Sequence, residues 1–495
     1  MSGRVLAVAV VAGVLTLGAV GAGASTGADG AGSPRARAAS DACTAPPSDP
    51  APGVAAWGDR EVVNLGCMRQ GSEDAQANPD YLAAFDAMRA AWGQEPGHGT
   101  EVRGDPLRHP ATRWDGLRGR HQQLWITTAG GGRISAELFA PLGPCRDGCP
   151  RLPDGLRRQR PPYPVVVLLH GGGAVKEMFW NTAEVVAEHG YLVLDVDANF
   201  DPIGGGAPAD PPPAEPGFLF AARNALDYML ATPERPTSTG EYNPWWEVAD
   251  PERVGLIGSS LGAVTLDYLG QTDERVDTVV AYDACESVLE ALGAAGPEPA
   301  SITPDGGGCR SRTSPLTSGQ LNTSRLGFNA DYHTPGDTPR TSPPDPHLKD
   351  EYTRALAAKG IDAMQVAVRA SSHADVADDR ARTTGATARS RYGQAVMNYY
   401  TLAWLDYQLR GRDRATRVQA CRRLTASTFA DFADPYQIGT GRSVAGAGNV
   451  PETVGGLIMR DRLSYLFASW LSLDKGRLTV PDLRSPTPSS ACTRR

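Results

Sequence analysis

The feature that narrows the fold most is one apolar run, YPVVVLL, which ends in His170, Gly171, Gly172 and Gly173. A strand with one face in water alternates apolar and polar residues. A strand that is apolar at every position has both faces covered, as in a parallel sheet with helices on either side. The valines favour strand over helix, because branching at Cβ suits a pleated surface. Segments of similar character recur as YLVLDVDANF, RVGLIGSS, RVDTVVAYDA, SRLGFNADY and IDAMQVAVRASSH. Between and after them lie helical patterns: AEVVAEHG, FLFAARNALDYMLATP, LGAVTLDYLGQ, DPHLKDEYTRALAAKG and YGQAVMNYYTLAWLDYQLRG. Strands alternating with helices imply βαβ crossovers, hence an α/β chain whose central sheet is mostly parallel. HQQLWITTA and RISAELFAP flank a glycine triplet and predict a hairpin before the first buried run.

The ends of the chain read differently. The first 24 residues combine Arg4, an apolar stretch and the small-residue site Ala22-Gly23-Ala24, which predicts a secretory signal peptide cut after Ala24. Residues 25–115 form a Pro/Gly-rich extension, partly disordered, with one helical patch, PDYLAAFDAMRAAWG. Residues 116–412 carry the regular alternation, with the Gly/Pro/Ser/Thr excursion after Cys285 predicted to be a cap loop. Residues 413–495 form a C-terminal extension in which GLIMRDRLSYLFASWLSL reads as a docked helix. Arg460, Asp461 and Arg462 argue against a membrane span there. Eight cysteines behind an export signal predict disulfides, in the simplest pairing 43–67, 145–149, 285–309 and 421–492. CRDGC has metal-like spacing, but no second Cys/His pair adjoins it. A net charge of −8 without a basic stripe gives no reason to expect a nucleic-acid partner.

Within the alternation, Gly258-Ser259-Ser260-Leu261-Gly262 fits G-x-S-x-G in one register only, with Ser260 at the centre. A nucleophilic serine between strand and helix must sit on a sharp turn. A side chain at either flanking glycine would then collide with the adjoining elements. Acyl transfer also needs donors for the developing oxyanion. The amide of Leu261 and that of Gly172 or Gly173 are the candidates. A general base is required, and His373, in the loop SSHAD after the last strand of the alternation, fits the order serine, acid, histidine. His333 and His347 fall where the acid is wanted. Asp331, the first carboxylate after RLGFNA, is the expected acid, with Asp337, Asp345 and Asp283 as alternatives. His170 reads as a turn residue. DVDANFD spaces Asp195, Asp197, Asn199 and Asp201 like a calcium loop but has Phe200 where glycine belongs, so no metal is expected. Phe179, Trp180, Trp245 and Trp246 are candidates to line a pocket or to fill the core.

With HGGGA, GSSLG and SSHAD in this order, the region from about Gly116 to Gly411 resembles the α/β-hydrolase superfamily. Within it the chain is similar to secreted dienelactone-hydrolase-like and polyester-hydrolase-like serine esterases. The resemblance implies an acyl-enzyme mechanism without a cofactor, acting on a small or polymeric ester outside the cell. A peptidase or acyltransferase of the same fold, or a non-catalytic cell-envelope binding protein on this scaffold, are the alternatives.

Overall fold

The computed structural model describes residues 79–92, 114–145, 149, 151–152, 157–172, 174–198, 217–284, 321–332, 351–373, 376–377, 391–410, 414–425, 463–469 and 477–479. In chain order these form α1 (Pro79–Trp92), β1 (Gly119–Thr127), β2 (Arg133–Pro141), β3 (Tyr163–Leu169), α2 (Trp180–Glu188), β4 (Leu192–Val196) and α3 (Gly217–Leu230). They continue with β5 (Ala249–Ser259), α4 (Leu261–Thr272), β6 (Thr278–Tyr282), β7 (Ser324–Tyr332), α5 (Glu351–Ala358) and β8 (Ala363–Ser372). Last come α6 (Arg391–Leu409), α7 (Arg414–Thr425), β9 (Leu463–Ser469) and β10 (Arg477–Thr479).

The strands make one sheet in the order β1-β2-β4-β3-β5-β6-β7-β8-β9-β10. Its middle, from β4 through β8, is parallel. The hairpin β1–β2 adds antiparallel strands at one side, and β9–β10 do so at the other. This is the α/β-hydrolase fold.

Strand β3 shows why the apolar runs were needed. Val165, Val167 and Leu169 point to one face, where they meet Leu226 of α3 and Leu266 and Leu269 of α4. Val166 and Leu168 point to the other, where they join Trp180, Val185 and Val186 of α2 and Tyr400 and Trp404 of α6. The period of two thus serves two cores at once. Each valine or leucine buried this way contributes about 1.5–3 kcal/mol. Helix α2 stops at Gly190, whose φ of +107° suits glycine.

The C-terminal segment departs from expectation. LSYLFAS is a strand, β9, not a docked helix, and it pairs antiparallel with β8. Seven apolar or small residues beside an otherwise open sheet edge gain a full hydrogen-bond ladder as a strand. The edge exists only once β8 is in place. Residues Ala420, Cys421 and Leu424 of α7 enter the same core as α6. Cys145 and Cys149 form a disulfide, as the sequence suggested, and Cys421 is also disulfide-bonded. The remaining proposed cysteine pairings, the signal segment and the cap loop after Cys285 lie outside the described residues. No described helix is long and apolar enough to cross a membrane.

Candidate active site

The site is built at the carboxyl ends of β3, β5, β6 and β8. Strand β5 ends at Ser259, and Ser260 then turns the chain into α4 with φ of 52° and ψ of −117°. A positive φ on a side-chain-bearing residue is sterically unfavourable and costs on the order of 1–3 kcal/mol. The turn is held by tight backbone packing. A methyl group at Gly262 would lie 2.2 Å from the carbonyl oxygen of His170 and 2.5 Å from that of Leu169. One at Gly258 would lie 2.6 Å from the amide nitrogen of Ala263. Both flanking positions therefore require glycine, for the reason the motif suggested. Ser259 is buried, whereas Ser260 is partly open.

The Ser260 amide donates to the carbonyl of Tyr282 at 2.9 Å, which ties the elbow to the end of β6. The next residue, Asp283, also has positive φ, 49°. Its amide donates to Phe328 O at 2.8 Å, so the aspartate is fixed against β7. One carboxylate oxygen, Oδ1, accepts the Ala330 amide at 2.8 Å. The other, Oδ2, lies 2.5 Å from Nδ1 of His373, just past β8. His373 keeps 24% of its side chain exposed against 7% for Asp283, so the imidazole can be reached from solvent while its partner is shielded.

His373 thus pairs with Asp283, one of the alternatives to the expected acid, Asp331. Asp331 stands within β7, whereas the carboxylate brought to His373 is that of Asp283, from the neighbouring strand β6. The expectation rested on strand order, which puts the acid after β7. The left-handed turn at Asp283 aims its side chain across β7 instead, and such a turn leaves little trace in sequence. The Asp283 alternative was visible only as an acid at the end of a strand. Asp337 and Asp345, with the rival histidines His333 and His347, lie outside the described residues.

The glycine loop lies over the elbow. A methyl at Gly171 would be 2.9 Å from Ser260 Cβ, so this position admits the serine because it is glycine. Gly172 is exposed and more loosely placed, since a methyl there would lie 3.7 Å from the Leu261 side chain. Gly173 lies outside the described residues. Leu261 opens α4, where first-turn amides have no acceptor within their own helix. His170 donates from Nδ1 to Gly171 O at 2.6 Å and accepts the Ala198 amide on Nε2 at 2.9 Å, which is the turn role read from the sequence.

Beside this loop is a charge cluster that sequence reasoning missed. Lys176 is fully buried, its Nζ against Glu177, 3.3 Å from Asp197 and 3.8 Å from Glu137. Glu137 also accepts from Trp180 Nε1. Burial pushes Glu177 up to about 8, with Lys176 pulling the other way and Asp197 and Glu137 adding to the rise. Burial would raise Glu137 too, but Lys176, the nearby His121 and a hydrogen bond from Trp180 bring it down to about 2. Burial, with Glu137 and Asp197 nearby, holds Asp195 well above the usual carboxylate range. Asp197 thus pairs with an internal ammonium, which also lowers the shift at Asp195. Asn199 and Asp201 lie outside the described residues, and among the described ones no three His, Cys, Asp or Glu side chains are grouped to hold a metal ion. Phe179 and Trp180 belong to the core, and Trp245 packs at its margin under Arg120.

Fold and site together define an α/β-hydrolase scaffold with a serine on its strand-to-helix elbow and a histidine–aspartate pair on the neighbouring strand ends. No protein-family model matches the chain, and no curated protein matches it in sequence. Two of the solved structures that align with it are hydrolases. One is a Mycobacterium tuberculosis puromycin-hydrolysing peptidase, at 16% identity over 60% of this chain and 41% of that one, with a TM-score of 0.38. The other is a ferulic acid esterase from Streptomyces cinnamoneus, at 20% identity over 62% of this chain and 93% of that one, with a TM-score of 0.39.

Proposed function

We propose that the protein is an exported serine hydrolase that cleaves carboxylic esters through an acyl-enzyme, with Ser260, His373 and Asp283 as its triad. The observation that carries this reading is the strained Ser260 elbow tied through Tyr282 to the aspartate that holds His373. With Nδ1 turned to Asp283, the opposite ring nitrogen, Nε2, takes the Ser260 proton as Oγ attacks the ester carbonyl. The carbonyl electrons move onto oxygen. The amide of Leu261 and an amide of the glycine loop, at Gly172 or Gly173, receive that oxyanion. Collapse expels the alcohol, protonated by His373, and water releases the acid by the same steps. Asp283 orients the imidazole and stabilises its charged form. The chemistry assigned to these residues draws on no cofactor. Export is supported by the N-terminal segment and is consistent with the Cys145–Cys149 disulfide.

A fluorophosphonate probe tests the nucleophile. Labelling is expected in the wild type and in Ser259→Ala and lost in Ser260→Ala, with ester turnover falling at least about 10⁴-fold in the latter. Labelling that survives Ser260→Ala would sink the assignment. A p-nitrophenyl ester series of increasing acyl length, run beside a peptide panel, separates esterase from peptidase, and product analysis with added alcohols reveals acyl transfer.

A further inference from the structure

We propose that Asp197 and Lys176 are positioning residues for the oxyanion site, holding the glycine loop so that its amides and that of Leu261 meet one oxygen. The inference rests on the ester-hydrolase reading above and deepens it.

The loop from His170 to Lys176 is fastened at both ends to the end of β4. At its start, the Ala198 amide donates to His170 Nε2 at 2.9 Å. At its end, the Lys176 amide donates to Asp197 Oδ1 at 2.9 Å. Asp197 is itself anchored, its amide donating to Ser135 O at 3.0 Å. The start of the loop is also pressed onto the elbow, because Gly262 leaves no space beneath His170 O and Gly171 none beside Ser260. With that end fixed, the position of the exposed Gly172 depends on where Asp197 and Lys176 hold the other end.

The charges argue in the same direction. One ammonium and four carboxyl groups, Glu137, Glu177, Asp195 and Asp197, are buried together. Among the described residues neither oxygen of Asp195 has a hydrogen-bond partner. Burying so many ionisable groups is an expensive way to fill space, since apolar side chains of similar size serve stability at least as well. What the ion pair adds is a directional hold on the backbone of residue 176.

Asp197→Asn tests the role. The amide keeps the size of the carboxylate but replaces the attraction to Lys176 Nζ. Lys176→Met/Glu177→Gln, which removes a cation and an acid together, serves if that variant folds poorly. Arg275→Ala, in an exposed ion pair, is the remote control. Active sites are counted by fluorophosphonate titration, so only folded enzyme enters the comparison. For p-nitrophenyl butyrate, kcat per titrated site is expected to fall about 30–100-fold, with KM within about threefold. Affinity for a trifluoromethyl ketone, which forms an oxyanion on the serine, should fall in step with kcat. A purely structural role would lower the titrated fraction and leave kcat per site and ketone affinity unchanged; that result overturns the proposal. A wild type that takes up no fluorophosphonate overturns the hydrolase reading itself, which distinguishes the two failures.

Discussion

Two regions meet at the glycine loop and hold it by opposite means. On one side the Ser260 elbow uses backbone against backbone, with no charge and with glycine required where chains nearly touch. On the other, the Lys176 cluster uses buried charges contributed by β2, β4 and the turn after the loop. The first is a short-range steric device in which GSSLG packs within itself and against the end of β3. The second assembles from residues 137 to 197 and exists only after three separate segments have packed. The difference predicts unequal responses: the elbow should fail sharply on one added carbon, and the cluster should respond to pH.

The largest effect expected lies with the acid. Asp283→Asn should lower kcat by about 10³–10⁴-fold, since an amide favours the wrong imidazole tautomer. Asp331→Asn should leave turnover within about tenfold. The reverse order in steady-state kinetics would restore the strand-order assignment and break the link between elbow and β6.

Next comes the elbow itself. Gly262 lies in the first turn of α4, where alanine would otherwise gain about 1 kcal/mol of helix propensity. Its methyl would instead press into the His170 and Leu169 carbonyls, and Gly262→Ala should destabilise by about 3 kcal/mol or more in denaturant unfolding. A neutral or stabilising result would show that the glycine frame is loose.

The smallest effect is in the cluster. A carboxyl raised from 4.5 to about 8 holds its proton in the folded chain across a range in which the unfolded chain has lost it. Unfolding therefore releases protons, and Glu177 makes stability fall as pH rises from about 5 to about 8. The groups facing it are Lys176, Asp197, Glu137 and Asp195. Of these, Asp195 is raised as well and acts in the same sense, while Glu137 is lowered and adds stability that is lost only under acid conditions. Glu177→Gln should flatten the fall in melting temperature between pH 5 and 8, and an unchanged slope would remove Glu177 from this account.

The sequence alone determined the sheet and its helices, because an unbroken apolar strand such as YPVVVLL can be stable only between two covering layers. It also singled out Ser260 as the candidate nucleophile, because GSSLG admits the motif in one register only. The tertiary structure decided what depended on distant neighbours. It paired His373 with Asp283, through a left-handed turn that aims across a strand. It made LSYLFAS a strand, because β8 left an edge to pair. It gathered Lys176 with four carboxyl groups that sequence spacing does not bring together. Periodicity and motif register act over a few residues and are written locally, whereas charge pairing and edge pairing depend on which segments pack side by side.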